Sequence, residues 1–99
     1  MVEHVVLIAW KEDVPEIERQ QILAALLTLK EQILGIVSYH VGHNFSTRSQ
    51  GFDAAITSTF VDEGSLQAYG SHPAHLAVAE RLKAAAKNIL ALDFHHMQA

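Results

Sequence analysis

The run Val5-Val6-Leu7-Ile8-Ala9-Trp10 restricts the fold of this chain more than any other feature. Six residues are too few for a stable helix, and their β-branched content marks a strand. Side chains alternate across a strand, so a strand with one wet face alternates apolar and polar residues. This one is apolar on both sides. Helices are expected to cover one face, and the second face needs a cover of its own, which predicts a second copy of the chain.

The remaining pattern supplies the other elements. Asp13-Val14-Pro15-Glu16 gives an acidic, proline-led start to a helix expected to run to about Leu34 and stop at Gly35. Its apolar stripe is Ile22, Leu26, Leu29 and Ile33, joined by Leu23, Leu27 and Leu34. Residues 36–44 set Val37, Tyr39 and Val41 against Ser38, His40 and Gly42, the period of a second strand. The polar, glycine-containing residues 45–53 read as a loop, with Arg48 its only basic residue, leading to a third strand over 54–60. Asp62 caps a short helix expected to end near Tyr69, with Gly70 as terminator. The next helix starts at Pro73 and carries Val78, Leu82, Ala85 and Ile89 on one face, and residues 90–97 read as a fourth strand. Strand, helix, strand, strand, helix, strand is the ferredoxin-like βαββαβ plan. It predicts one α+β domain over residues 1–99: a four-stranded antiparallel sheet with helices on one face. Packing two bare sheet faces across a two-fold axis predicts a homodimeric α+β barrel with a pocket enclosed between the sheets.

Composition agrees with a covered second face, because 49% of the residues are hydrophobic and only 18% charged in a chain of 99. The absence of cysteine removes disulfides, thiolate metal sites and a cysteine nucleophile, and fits a reducing compartment, so the cytoplasm is the expected location. A formal net charge of −4 with scattered acids argues against nucleic acid as a partner. No stretch has the pattern of a targeting segment or the length of a membrane span.

Chemistry concentrates in Tyr69-Gly70-Ser71-His72-Pro73-Ala74-His75. Proline suits the first helical position, which puts His72 at the cap and His75 in the first turn. The helix N-terminus opposes protonation of His75, and a neutral imidazole near physiological pH is what a general base requires. The same Ser-His-Pro run is also an ordinary helix start. His4 opens the first strand in phase with Val6, Ile8 and Trp10, while His40 and either His95 or His96 are candidates to join it from other strands. His75, Tyr69 and His4 are therefore the candidate catalytic residues, and Trp10, His40 and His72 the candidate cavity residues. A metal reading rests on His72 and His75 three residues apart and on His95-His96, a weak pattern that lacks H-E-x-x-H; the expectation is no metal and no cofactor.

An ordered set of motifs spans nearly the whole chain. It comprises His4 opening strand one, Gly42-His43-Asn44-Phe45-Ser46, Gly51-Phe52-Asp53, Tyr69 with His72-Pro73-Ala74-His75, and Asp93-Phe94. In this set the chain resembles the stress-responsive dimeric α+β barrel (Dabb) family. The resemblance implies a ferredoxin-like protomer paired into a dimeric barrel. Similarity to olivetolic acid cyclase-like members, which close a linear polyketide thioester by intramolecular aldol condensation, matches His75 to the catalytic base, Tyr69 to the assisting phenol and His4 to a cavity histidine. The chain departs from that pattern in offering Leu26 and Leu27, and no tyrosine, from the first helix, and in starting strand three with Ala54-Ala55. The expected activity is cofactor-free proton transfer on a small carbonyl or polyketide-like compound. A noncatalytic dimer holding a hydrophobic molecule, or serving in stress protection, is the alternative. A cofactor-free monooxygenase or isomerase, in which Trp10, Tyr39 and the histidines shape a pocket for an aromatic compound, is a further one.

Overall fold

The first strand pairs on both sides, which makes it a central strand of the sheet. In a computed structural model describing residues 1–98, the elements are β1 (Val2–Trp10), α1 (Glu16–Leu27), α2 (Leu29–Gln32), β2 (Ile36–His43), β3 (Ala54–Phe60), α3 (Glu63–Ser71), α4 (Pro73–Ala85) and β4 (Ala86–His95). The strands form one antiparallel sheet in the order β2-β3-β1-β4. This is a ferredoxin-like α+β fold.

Strand phase divides the sheet into two unlike faces. Val2, Val6, Ile8 and Trp10 of β1, with Ala54, Ile56 and Phe60 of β3, join Ile22, Leu26, Leu29, Tyr69 and Leu82 of the helices in one buried core. The register places Val5 against Leu92, Leu7 against Leu90 and Glu3 against Phe94, so these residues share the opposite face. There Leu90, Leu92 and Phe94 are exposed. The doubly apolar first strand is thus explained: even-numbered positions meet the helices, and Val5 and Leu7 join the apolar residues of β4 on the other face.

Several element boundaries differ from the sequence expectation. The first helix breaks at Thr28 instead of running to Leu34. The Thr28 hydroxyl donates to the Ala25 carbonyl at 2.7 Å and its backbone N–H reaches the same oxygen at 3.2 Å, tightening the last turn. Leu34, assigned to the buried stripe by periodicity, is 95% exposed, and Leu27 is exposed as well. Gly35 is not the helix stop, since α2 already ends at Gln32 with Ile33 extended; it makes the turn into β2. Its φ of +93° suits glycine, and a Cβ there would lie 2.6 Å from the Cβ of Ser65.

The helix holding Tyr69 passes through Gly70 to Ser71, and the proline ends it. Pro73 holds His72 in an extended conformation, ψ 135°, which cannot continue a helix. The Asp62 cap is present, its side chain accepting from the Ser65 N–H at 2.8 Å. At the far end α4 stops at Ala85, and β4 begins at Ala86, four residues before the expected strand start. Ile89 was assigned to the helix by its spacing but pairs with Ile8. Ladder bonds to β1 outweigh the helical preference of Ala86 and Lys87.

Candidate active site

Each of the three candidate catalytic residues is placed by a local rule. His4 has the phase of Val6 and Ile8 and so points to the helix side of β1. Tyr69 is the seventh of the nine residues of α3 and is 3% exposed. His75 is the third residue of α4, and His72 caps that helix, its Nδ1 accepting from the Ala74 N–H at 3.0 Å. These constraints bring His4, Tyr69 and His75 together on the lining of a cavity of about 280 Å³. Its walls are mostly apolar, from Val6, Leu26, Ile56, Leu76, Ala79 and Ile89. Hollows of about 340 Å³ beside Glu63 and His95 and about 360 Å³ beside His43 and Phe52 are not lined by a phenol.

The rings are in contact. Tyr69 and His75 centroids are 4.3 Å apart and tilted by 44°, and His4 meets Tyr69 edge-on at 6.1 Å. Hydrogen bonds assign the protons. His75 Nδ1 lies 3.1 Å from the Gly70 carbonyl oxygen, which can only accept, so neutral His75 carries its proton on Nδ1 and leaves a lone pair on Nε2. His4 Nδ1 pairs with the Asp93 carboxylate in the same sense, the carboxylate orienting the imidazole and leaving Nε2 as the free nitrogen. Burial is the leading reason that the His75 pKa falls below the usual histidine value. The Gly70 bond opposes this, while the charges of His4, Lys83 and His72 add to it.

The Tyr69 hydroxyl is 2.9 Å from that of Tyr39 in the core. Burial raises the pKa of both phenols, and for Tyr39 the neighbouring Tyr69 raises it further. Both therefore stay protonated, and in the bond between them one hydroxyl donates and the other accepts. If Tyr39 donates to Tyr69, the Tyr69 proton is directed elsewhere, which is how one phenol aims another. Tyr39→Phe is expected to cost about 0.5–1.5 kcal/mol in urea unfolding, with a changed environment at Tyr69 in aromatic NMR spectra.

Residues 2–96 match the sequence model of the stress responsive A/B barrel domain, Dabb. The chain belongs to the Dabb family. Comparison with curated proteins gives no match. Among solved structures, this Dabb chain is similar to a protein of Arabidopsis thaliana, with 24% identity over 100% of this chain and 98% of that one, at a TM-score of 0.91. It is similar to the hydroxynitrile lyase of Passiflora edulis, with 22% identity, coverage of 99% and 94%, and a TM-score of 0.92. A dimeric ferredoxin-like protein of unknown function from Jannaschia shares 25% identity, with coverage of 96% and 98% and a TM-score of 0.85.

The Dabb fold also relocates part of the expected site. The cavity lies beneath the helices of one protomer and not in a space between two sheets, because His4 shares the phase of the helix-facing core. Trp10, His40 and His72 do not line it. Trp10 is six residues beyond His4, about 20 Å along the strand, and fills the core near the Arg19 guanidinium, which sits 6.0 Å from the ring centroid. His40 pairs with Thr57 on the bare face, since Tyr39 takes the inward position. His72 is committed to its cap. His95 and His96 pair with Glu63 and Glu3 respectively, outside the cavity. Among the described residues no three His, Asp or Glu side chains converge as a metal set, and no helix is long and apolar enough to cross a membrane.

Asp93 is the member of the site that residue-by-residue reading did not assign. Asp93 stands opposite His4 in the β1–β4 ladder. That pairing depends on a register spanning 89 residues of sequence, for which no local pattern exists.

Proposed function

We propose that this Dabb protein is a homodimer in which each cavity catalyses cofactor-independent proton transfer α to the carbonyl of a small, largely apolar compound. The observation that carries this reading is the 3.1 Å contact of His75 Nδ1 with the Gly70 carbonyl oxygen. With Nδ1–H tied to the Gly70 carbonyl, Nε2 is a lone-pair base in an apolar cavity beside a protonated phenol. In the reaction Nε2 takes a proton from the α-carbon, and the C–H electron pair moves into the enolate. The Tyr69 O–H hydrogen-bonds the developing oxyanion, and the imidazolium then returns the proton to carbon or to the oxygen formed in a ring closure. The His4–Asp93 pair provides a second oriented imidazole on the lining of the same cavity. That a hydroxynitrile lyase adopts this fold supports reading the cavity as a place for lyase or aldol-type chemistry.

The proton-abstraction step can be tested without the natural substrate. 1-Phenylpropan-2-one in D₂O is expected to lose its benzylic proton signals faster with the protein than with buffer, as followed by ¹H NMR. Exchange no faster than in buffer, for this and similar small ketones, would sink the reading. It would favour a noncatalytic binder of hydrophobic molecules, a reading supported by the engagement of Tyr69 with Tyr39.

The homodimer is supported by the uncovered apolar face of Leu90, Leu92 and Phe94 and by the description of the similar Jannaschia protein as dimeric. Leu92→Glu is expected to place a charge on that face and convert the sedimenting species to monomer at micromolar concentration. A wild-type monomer at the same concentration would remove the dimer from the proposal.

A further inference from the structure

The cavity wall that carries His75 is one face of α4. His75, Ala79 and Lys83 follow at four-residue steps, which stacks their side chains on one side of the helix. Eight residues separate His75 from Lys83, about 12 Å along the helix axis. The cavity is therefore polar in two places. The two imidazoles and the phenol touch one another, and Lys83, two turns along α4 from His75, stands exposed on an otherwise mostly apolar lining as its only lysine or arginine.

Lys83 has no competing partner among the described residues. All three ion pairs there use histidine as the cation, and Glu80, one turn earlier on the same helix, does not pair with Lys83. Its positive charge opposes protonation of His75. In a chain with eleven acids and seven lysines and arginines, a cation on the wall of an apolar cavity and without a carboxylate partner has an open place for an anion from outside.

We infer that Lys83 selects ligands that are carboxylate anions: an apolar carbonyl compound places its acid group on the Lys83 ammonium while its reacting carbon lies at His75. This inference rests on the proton-transfer reading for the position of the reacting carbon. A cavity of about 280 Å³ holds such a molecule if it is small, comparable to an arylalkyl keto acid.

The test uses two probes that differ in charge, 4-oxo-4-phenylbutanoate and its neutral methyl ester, titrated into the full chain while the His75 imidazole resonances are followed by NMR. The acid is expected to bind roughly tenfold more tightly than the ester, the low end of a charge-assisted hydrogen bond. Added salt is expected to weaken the acid alone. Lys83→Met is expected to bring the acid to the affinity of the ester, and Lys83→Arg to keep the preference. Equal affinity of the two probes for the wild-type protein, or a preference that survives Lys83→Met, would overturn the inference. So would a failure of both probes to shift His75, which would remove the ligand cavity as well. Acid preference in a protein that exchanges no α-protons supports the role of Lys83 while the catalytic reading falls, so the two failures are distinguishable.

Discussion

His75→Ala is expected to slow protein-dependent α-proton exchange by about 10²–10⁴-fold, the usual contribution of a positioned general base. The half-buried ring and its single backbone bond make the variant's fold secure enough for the comparison. The pH profile carries the same information. Exchange requires neutral His75, and burial, followed by the charges of His4, Lys83 and His72, moves its pKa below 6.5. The rising limb of rate against pH is therefore expected to have its midpoint below 6.5 and to disappear in His75→Ala. The sign for stability follows from the same shift. Below 6.5 the unfolded chain takes up a proton that the folded site resists, so this residue contributes a loss of stability as pH falls through that window and none above it. A midpoint at or above 6.5, or equal exchange by the variant, would remove His75 as the base.

The largest stability effect is expected at Phe60. Its side chain is fully buried, meets the Tyr69 ring edge-on at 5.0 Å and lies 6.3 Å from the His4 ring. Phe60→Ala is expected to cost about 3–5 kcal/mol, the combined loss of transfer energy and of packing around the cavity left behind. Set against a total of about 5–15 kcal/mol for an ordinary domain, that is a large fraction, readable as a fall in the urea midpoint with little change in slope. Because Phe60 also supports Tyr69, the variant is expected to show a broadened or shifted Tyr69 resonance before unfolding begins. A loss below about 1 kcal/mol would mean that the core collapses onto the vacated space and that Tyr69 has other sufficient support.

The order of strands and helices was legible in the residues because it rests on local rules. Two-residue alternation marks strands, Pro73 starts a helix, Asp62 caps one and Gly35 takes a positive φ. Where local signals competed, reading by pattern failed. Residues 86–89 keep helical spacing yet join the sheet, and Leu34 keeps the stripe's spacing yet lies outside, because β1 pairing and the Thr28 break operate beyond or against that spacing.

The site divides in the same way. His75 with its helix start, and the shared phase of His4 with Val6 and Ile8, were determined by the sequence, since cap geometry and strand periodicity act over a few residues. The tertiary structure alone decided that Asp93 orients His4, that Tyr39 holds Tyr69, that Lys83 shares a wall with His75, and that the cavity opens beneath the helices and not between sheets. Those relations depend on strand register and on how a helix is set against a sheet, and both are fixed by packing between segments far apart in the chain.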